Sequence, residues 1–306
     1  VILHAEMWTK MKKIPFLVVL FASVLLVSGC GEYARIQKTQ DYEYKYEAAK
    51  ALYIEGKYSR ASQLLGDVLA ILKGTAYGEE CLYMLAMCAY NSKDYGSASS
   101  YFRKYYQSYP KGLYVEHARY YSGLSLYNQT PDPRLDQTYT DEAISELQQF
   151  LDLYPTTQLK EQTQNMIYML QDKLVEKEYL AAKMYFDLGT YRGNSTFGGS
   201  NYEACIVTAQ NALKDYPFAT TERREELSIL ILRSRFQLAS QSVIEKRMER
   251  FRNVIDEFYA FANDFPESKF LKEAQDLYDR ADKVVKKKNV GILEELKKEI
   301  VPLSEK

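Results

Sequence analysis

Apolar residues along this chain fall into two kinds of pattern. The first is a single run from Ile14 to Val27, preceded by Lys12 and Lys13 and followed by Ser28-Gly29-Cys30. The second fills nearly everything after it: apolar positions three and four residues apart, in segments of about four turns, divided by short polar turns. That spacing marks amphipathic helices, whereas half-buried strands would alternate every second residue. Period-two segments are nearly absent, so the expected fold is all-α. No glycine or proline falls between Thr157 and Leu188, which predicts one long helix. Two stretches break the pattern. Thr130-Pro131-Asp132-Pro133 lies in a polar loop between Asn128 and Thr140, and Gly193–Ser200 is rich in turn formers.

The helical segments repeat. Tyr46, Tyr83 and Tyr120 open related stretches and stand 37 residues apart. The first helix of each carries a small residue, Ala49, Ala86 or Gly123. A turn follows in the first two, Gly56-Lys57-Tyr58 or Lys93-Asp94-Tyr95, and then a second helix with Ala61 or Ala98 near its start. Pro110 and Pro155 close the second helices, where a residue that cannot continue a helix is expected. Related endings recur at Tyr216-Pro217 and Phe265-Pro266. This pattern resembles the tetratricopeptide repeat, whose helices cross closely at small residues. It implies a solenoid of about five helical hairpins, the last two degenerate, with the long central helix joining N- and C-terminal halves. The resulting plan is a signal segment at 1–29, a tether at 30–40, N-terminal repeats at 41–155, the linking helix at 156–189, C-terminal repeats at 190–285 and a tail at 286–306.

The apolar run at Ile14–Val27 is too short for a membrane-spanning helix, which needs roughly 20 apolar residues. With its basic start and small-residue end it reads as a signal peptide. Val27-Ser28-Gly29-Cys30 looks like the lipobox of bacterial lipoproteins, in which cleavage precedes the cysteine and the thiol is diacylated. A plain secretory signal with a coincidental cysteine is the competing reading. The residues ahead of Met11 do not fit a signal and point to a later true start. No aspartate follows Cys30, which in lipoproteins of this kind is compatible with sorting to the outer membrane. No other run reaches membrane length, so the body is expected to be soluble and tethered by lipid on Cys30. Cys81 and Cys88, seven apart on one helix, are separated by about 10 Å along its axis, too far to bridge. With Cys205 they are expected to be small buried hydrophobes.

Charge and composition exclude several functions. Lys+Arg at 40 against Asp+Glu at 41 give a net charge of -1, without the basic excess that nucleic-acid binding demands. The only histidines are His4 and His117, which leaves little for a multi-histidine metal site. No Gly-rich phosphate loop or G-x-S-x-G elbow occurs, and the chain is expected to be neither an enzyme nor a cofactor binder. Tyrosine, by contrast, occurs 28 times. In the repeat pattern two positions of each first helix, seven apart, line the concave surface. Here they are Tyr46 and Tyr53, Tyr83 and Tyr90, and Tyr120 and Tyr127. A flat ring with a hydroxyl and few rotamers suits a peptide-binding groove. The same rings could instead fill ordinary core. Glu43, Glu80 and Lys50 fall near this ladder. In the C-terminal half, Arg223, Arg224, Arg233 and Arg235 stand among glutamates, read either as solvated helix faces or as a docking face for a partner.

Taken together, the lipobox, the hairpins and the length resemble the BamD family of outer-membrane assembly lipoproteins. Particular segments carry the likeness. They are the Ala-rich opening helix running into Gly56-Lys57-Tyr58, the stretch from Glu176 to Phe186, and Asp215-Tyr216-Pro217. The resemblance covers about residues 30–285. It implies a lipid-anchored scaffold that docks on a BamA-like barrel subunit and on other lipoproteins of the assembly machine. It further implies that the N-terminal repeats receive C-terminal segments of unfolded outer-membrane barrels, whose alternating pattern and aromatic end suit a tyrosine-lined groove. A repeat lipoprotein scaffolding cell-wall or polysaccharide machinery is the other reading of the same features.

Overall fold

Local signals set the helix ends. Asp41 accepts a hydrogen bond from the Tyr44 amide, and Asp94 accepts one from Ser97, so each supplies an N-cap. The hairpin turns repeat in detail. Gly56 (φ 75°) and Lys93 (φ 62°), 37 residues apart, both take the left-handed conformation. The amides of Lys57 and Asp94 then bond back to the carbonyls of Leu52 and Ala89, which closes the first helices as Schellman turns. Second helices end where the residue before a proline is forced out of the helical region. Tyr109 (φ -127°, ψ 66°), Tyr216 (φ -120°, ψ 67°) and Phe265 (φ -133°, ψ 65°) all do this.

The computed structural model describes residues 31–191 and 200–300, and these contain helices and no strand. A helical segment at 31–38 comes first. Then follow α1 (Tyr42–Ile54), α2 (Tyr58–Leu72), α3 (Ala76–Asn91), α4 (Tyr95–Ser108), α5 (Val115–Gln129) and α6 (Thr138–Leu153). The chain continues through α7 (Lys160–Leu188), α8 (Asn201–Asp215), α9 (Thr221–Ser240), α10 (Ile244–Asp264) and α11 (Leu271–Ile300). The fold is an all-α array of tetratricopeptide-like hairpins, as the repeat pattern predicts. The signal segment, Cys30 and residues 193–199 of the glycine-rich stretch lie outside the described residues.

Two compact units share the chain. The first comprises the residues up to Thr130 with Ser145–Gln158, and the second Pro131–Ile144 with everything from Leu159 on. The long helix α7 therefore lies wholly in the second unit. In the first unit, α1 through α5 pack in chain order, each on the next. Ala49, Ala61, Ala86 and Ala98 are fully buried where helices cross. At Gly123 a Cβ would stand 2.5 Å from the Leu147 side chain, so only glycine allows α5 and α6 this approach. In the second unit, α8 packs on α7, α9 on both, then α10 on α9 and α11 on α10. The long predicted helix is observed from Lys160, and the stretch expected as a tail continues α11 to Ile300. Cys81, Cys88 and Cys205 are buried and unpaired. Burial pushes the Cys81 and Cys88 thiols up to about 12, which leaves them inert, as small core residues should be.

Candidate functional site

The six predicted groove tyrosines separate into two groups. Tyr46 and Tyr120 are only 1% and 4% exposed. The Tyr46 ring packs beside Tyr77, and its hydroxyl donates to Glu80 at 2.7 Å, while Lys50 pairs with the other Glu80 oxygen at 2.8 Å. Lys50 and the Tyr46 hydroxyl hold the Glu80 carboxyl below its ordinary value. Tyr120 is enclosed by Tyr121 and Phe150. These two tyrosines are core, and the expectation that they face a ligand is corrected. The repeat pattern identifies the helix face they share, but packing covers that face at Tyr46 and Tyr120 and leaves Tyr83, the equivalent position of the second repeat, half-buried. Of the rim charges, Glu80 and Lys50 are thus bound to the core, and Glu43 is exposed.

Tyr53, Tyr83, Tyr90 and Tyr127 are half-buried. Tyr53 meets Tyr58 edge-on at 5.7 Å, while Tyr83 and Tyr90 join a row of rings that the repeat pattern does not foresee. Tyr114 stacks on Tyr83 at 4.4 Å, and Tyr83 meets Phe102 edge-on at 5.9 Å. Phe102 stacks on Tyr121 at 5.5 Å, Tyr121 meets Tyr90 at 5.0 Å, and Tyr90 meets Tyr95 at 5.7 Å. Burial above all, then the nearby hydroxyls of Tyr121, Tyr53 and Tyr114, raises the pKa of Tyr83. The first unit therefore presents a band of partly covered aromatic faces with several hydroxyls near one another. Such a surface offers flat apolar area, hydroxyl donors and acceptors, and little entropy to lose.

Behind this band, two carboxylates lock tyrosines that sequence reasoning passed over. Glu79 accepts from the Tyr105 hydroxyl at 2.6 Å and the Leu113 amide at 2.7 Å, and Tyr105 in turn accepts from the Tyr114 amide. Tyr114, which stacks on Tyr83, is positioned by this chain. The buried Glu146 accepts from Tyr106 at 2.7 Å and lies 3.4 Å from Arg103. Burial, followed by the Glu146 hydrogen bond, pushes the Tyr106 hydroxyl up to about 12. The partners stand 26 and 40 residues apart, so no local spacing announces them.

The arginines proposed for docking are mostly occupied within the second unit. Arg223 bonds Glu226 at 2.7 Å, also pairs with Glu176, and lies 4.4 Å over the Tyr179 ring. Arg233 makes two 2.7 Å bonds to Glu273, the paired geometry that guanidinium and carboxylate favour. Arg235 bonds Glu257 at 2.7 Å, and Arg224 reaches the Pro217 carbonyl at 3.4 Å. They tie α9 to its neighbours and do not form a free basic face. What the second unit does open is a hollow of about 550 Å³ between α6, α7 and the α8–α9 turn. Ile144, Tyr168, Leu174, Tyr216 and Phe218 line it, and Asp141, Asp172 and Asp215 stand in the same lining. Phe218 is 83% exposed. An apolar residue placed just after a helix-ending Tyr-Pro was the available signal for it.

Among the described residues no cluster of His, Cys, Asp or Glu is placed to hold a metal ion. His117 is exposed on α5. No described helix is long and apolar enough to cross a membrane. The candidate surfaces are an aromatic band and an apolar hollow, both suited to protein contacts. The sequence model of the YfiO outer membrane lipoproteins matches residues 38–235, which include all six of the predicted tyrosines. The chain belongs to the YfiO outer membrane lipoprotein family. A relative from Aquifex aeolicus, provisionally named outer membrane protein assembly factor BamD, is 30% identical over 172 residues, which is 56% of each chain. Outer membrane protein assembly factor BamD of Caulobacter vibrioides is 22% identical over 178 residues, 56% of this chain and 58% of that one. The chain thus matches little more than half the length of these curated relatives. Among solved structures, a TPR repeats protein from Bacteroides fragilis superposes with a TM-score of 0.40 at 16% identity, covering 80% of this chain and 100% of that one. The family match extends from before α1 into α9, so both the aromatic band and the hollow lie within it.

Proposed function

We propose that this YfiO-family chain is a lipid-anchored, periplasm-facing scaffold in the assembly of outer-membrane β-barrels. It works by binding and carries no catalytic centre. In this reading the aromatic band of the first unit receives the C-terminal segment of an unfolded barrel protein. Half-covered rings at Tyr53, Tyr83 and Tyr90 offer pockets for alternate apolar side chains and a terminal aromatic one. The second unit, through the hollow bounded by Tyr168 and Phe218, docks the periplasmic part of a BamA-like barrel subunit. Membership in a family whose assigned relatives are named assembly factors supports the role. The observation that carries the substrate site is the ring row from Tyr114 to Tyr95, in which partly covered tyrosines flank the buried Phe102 on a helical frame.

Affinity purification from membranes tests the proposal, with the natural chain compared with Cys30→Ala. The natural chain should recover a barrel subunit, and loss of the lipid anchor should reduce that recovery. Recovery of cell-wall or polysaccharide machinery with no barrel subunit would favour the alternative scaffold. Tyr168→Ala with Phe218→Ala should then weaken capture of the barrel subunit while leaving the helical content unchanged.

A further inference from the structure

The segment at 31–38, expected as a tether, is a helix laid against the first hairpin. The Tyr33 hydroxyl bonds Gln63 at 2.6 Å, and the Arg60 guanidinium stands 5.3 Å over the Tyr33 ring. Tyr33 and Ile36 pack against the core cluster of α1–α3. Farther along, the buried Lys45 donates to the Gln37 carbonyl at 2.9 Å and pairs with Asp67 at 3.4 Å. These contacts fix a direction. The start of the segment lies beside the first turns of α2, at Arg60 and Gln63, and its end lies a turn or more farther on, toward Asp67. Gly31 therefore sits at the edge where the α1–α2 turn lies, and Cys30 is the residue joined to it.

That edge has a distinct surface. Gly56, Lys57, Tyr58, Ser59, Arg60 and Ser92 surround one open hollow of about 470 Å³, so the turns of the first two hairpins lie side by side. Ile54, at the end of α1, is 77% exposed. Lys93 occupies the tip of the second turn in its left-handed conformation. Arg35 is exposed on the docked segment. Glu55 and Lys57 pair at 2.6 Å, which leaves the cations Arg35, Arg60 and Lys93 against the carboxylates of Glu32 and of Asp94, the cap of α4. An exposed aliphatic side chain amid cations suits the headgroup layer of a bilayer with anionic lipids.

We infer that the docked helix at 31–38 holds this turn edge of the first unit, with Ile54, Arg60 and Lys93, against the lipid surface. The inference rests on the reading of Cys30 as the lipid anchor. A flexible tether would add about 3.3–3.6 Å of reach for each free residue and let the body tumble. A segment docked from Tyr33 onward leaves almost no such reach, so the anchor sets the orientation as well as the location. The opposite edge, with the turns around Gly74 and Lys111, then faces away from the bilayer.

The test uses the composition of the chain. Its one tryptophan is Trp8, ahead of the cleavage site, so the mature lipoprotein contains none. Ile54→Trp, Lys93→Trp and Lys111→Trp each supply a single reporter. Each lipoprotein is isolated from membranes, the lipid on Cys30 is confirmed by mass, and the protein is reconstituted in phosphatidylethanolamine–phosphatidylglycerol vesicles containing brominated lipid. Fluorescence at positions 54 and 93 should be quenched about twofold, as for rings at headgroup depth, and at 111 hardly at all. A ten-residue Gly/Ser insertion between Cys30 and Gly31 leaves the fold untouched and should erase most of the contrast, as should Tyr33→Ala with Ile36→Ala. Equal quenching at the two edges, or a contrast that survives both tether variants, would overturn the inference. A Cys30 found without lipid would overturn the anchor reading itself, and the mass measurement separates that outcome from the others.

Discussion

In the first unit, tyrosines share the core with aliphatic side chains, and three of the buried hydroxyls are anchored to carboxylates. Tyr46 rests on Glu80, Tyr105 on Glu79 and Tyr106 on Glu146. The second unit fills the equivalent space with Phe236, Phe251, Phe258, Phe261 and aliphatic side chains, and keeps its polar links outside as Arg–Glu pairs. An apolar interior needs no partner for any atom, and its stability comes from burial. A tyrosine in the interior needs a hydrogen-bond partner for its covered hydroxyl, yet it lets one residue type serve both core and surface. That is why the aromatic band of the first unit can be continuous with its own core. In the proposed function, the first unit's binding surface is built from the packing itself, and the second unit's is a hollow beside the packing.

The difference should be largest in alkali. Burial raises the pKa of Tyr46, Tyr53, Tyr83, Tyr105, Tyr106 and Tyr120 in the first unit, against Tyr179 and Tyr216 in the second. A group with a raised folded value contributes its full stability below its unfolded value, near 10, and loses it as the pH rises through the folded value. The first unit should therefore unfold above about pH 10, with tyrosinate absorbance and loss of helical signal rising together. A smooth titration near pH 10 with helicity intact would break the comparison. Next in size, Phe261→Ala should destabilise the second unit by about 3–5 kcal/mol in a denaturant melt, because the site cannot fully collapse. Glu146→Ala should cost the first unit about 1–3 kcal/mol, since the covered Tyr106 hydroxyl loses its partner. Arg233→Ala should cost the second unit no more than about 1 kcal/mol, as its ion pair with Glu273 is partly solvated. Smallest, Lys93→Gly should stabilise the first unit by up to about 1 kcal/mol by relieving the left-handed backbone. Differential scanning calorimetry would resolve each of these shifts.

Much of the fold was legible because its causes are local. The small residues at the crossings, the prolines after the second helices and the unbroken stretch of α7 each act within a few residues of themselves. The site was legible in part. A seven-residue spacing identifies the shared face of Tyr46 and Tyr53, but the depth of Tyr46 depends on Tyr77 and Glu80 of the next repeat. The roles of Glu79, Glu146 and the paired arginines depend on partners far away in sequence, such as Glu146 for Arg103 and Glu176 for Arg223. The docking of the 31–38 helix was hidden for a similar reason. Tyr33 has no local partner, and what holds it is Gln63, 30 residues on.

The central claim is that the half-covered rings of the first unit form a peptide-binding surface. Its most direct test is the affinity of the lipoprotein for a peptide of alternating apolar and polar residues ending in phenylalanine, measured by fluorescence anisotropy. Tyr83→Ala with Tyr90→Ala, shown by circular dichroism to keep its helices, should weaken that affinity at least about tenfold, or about 1.4 kcal/mol. A folded double variant that binds the peptide as tightly as the natural chain would contradict the account.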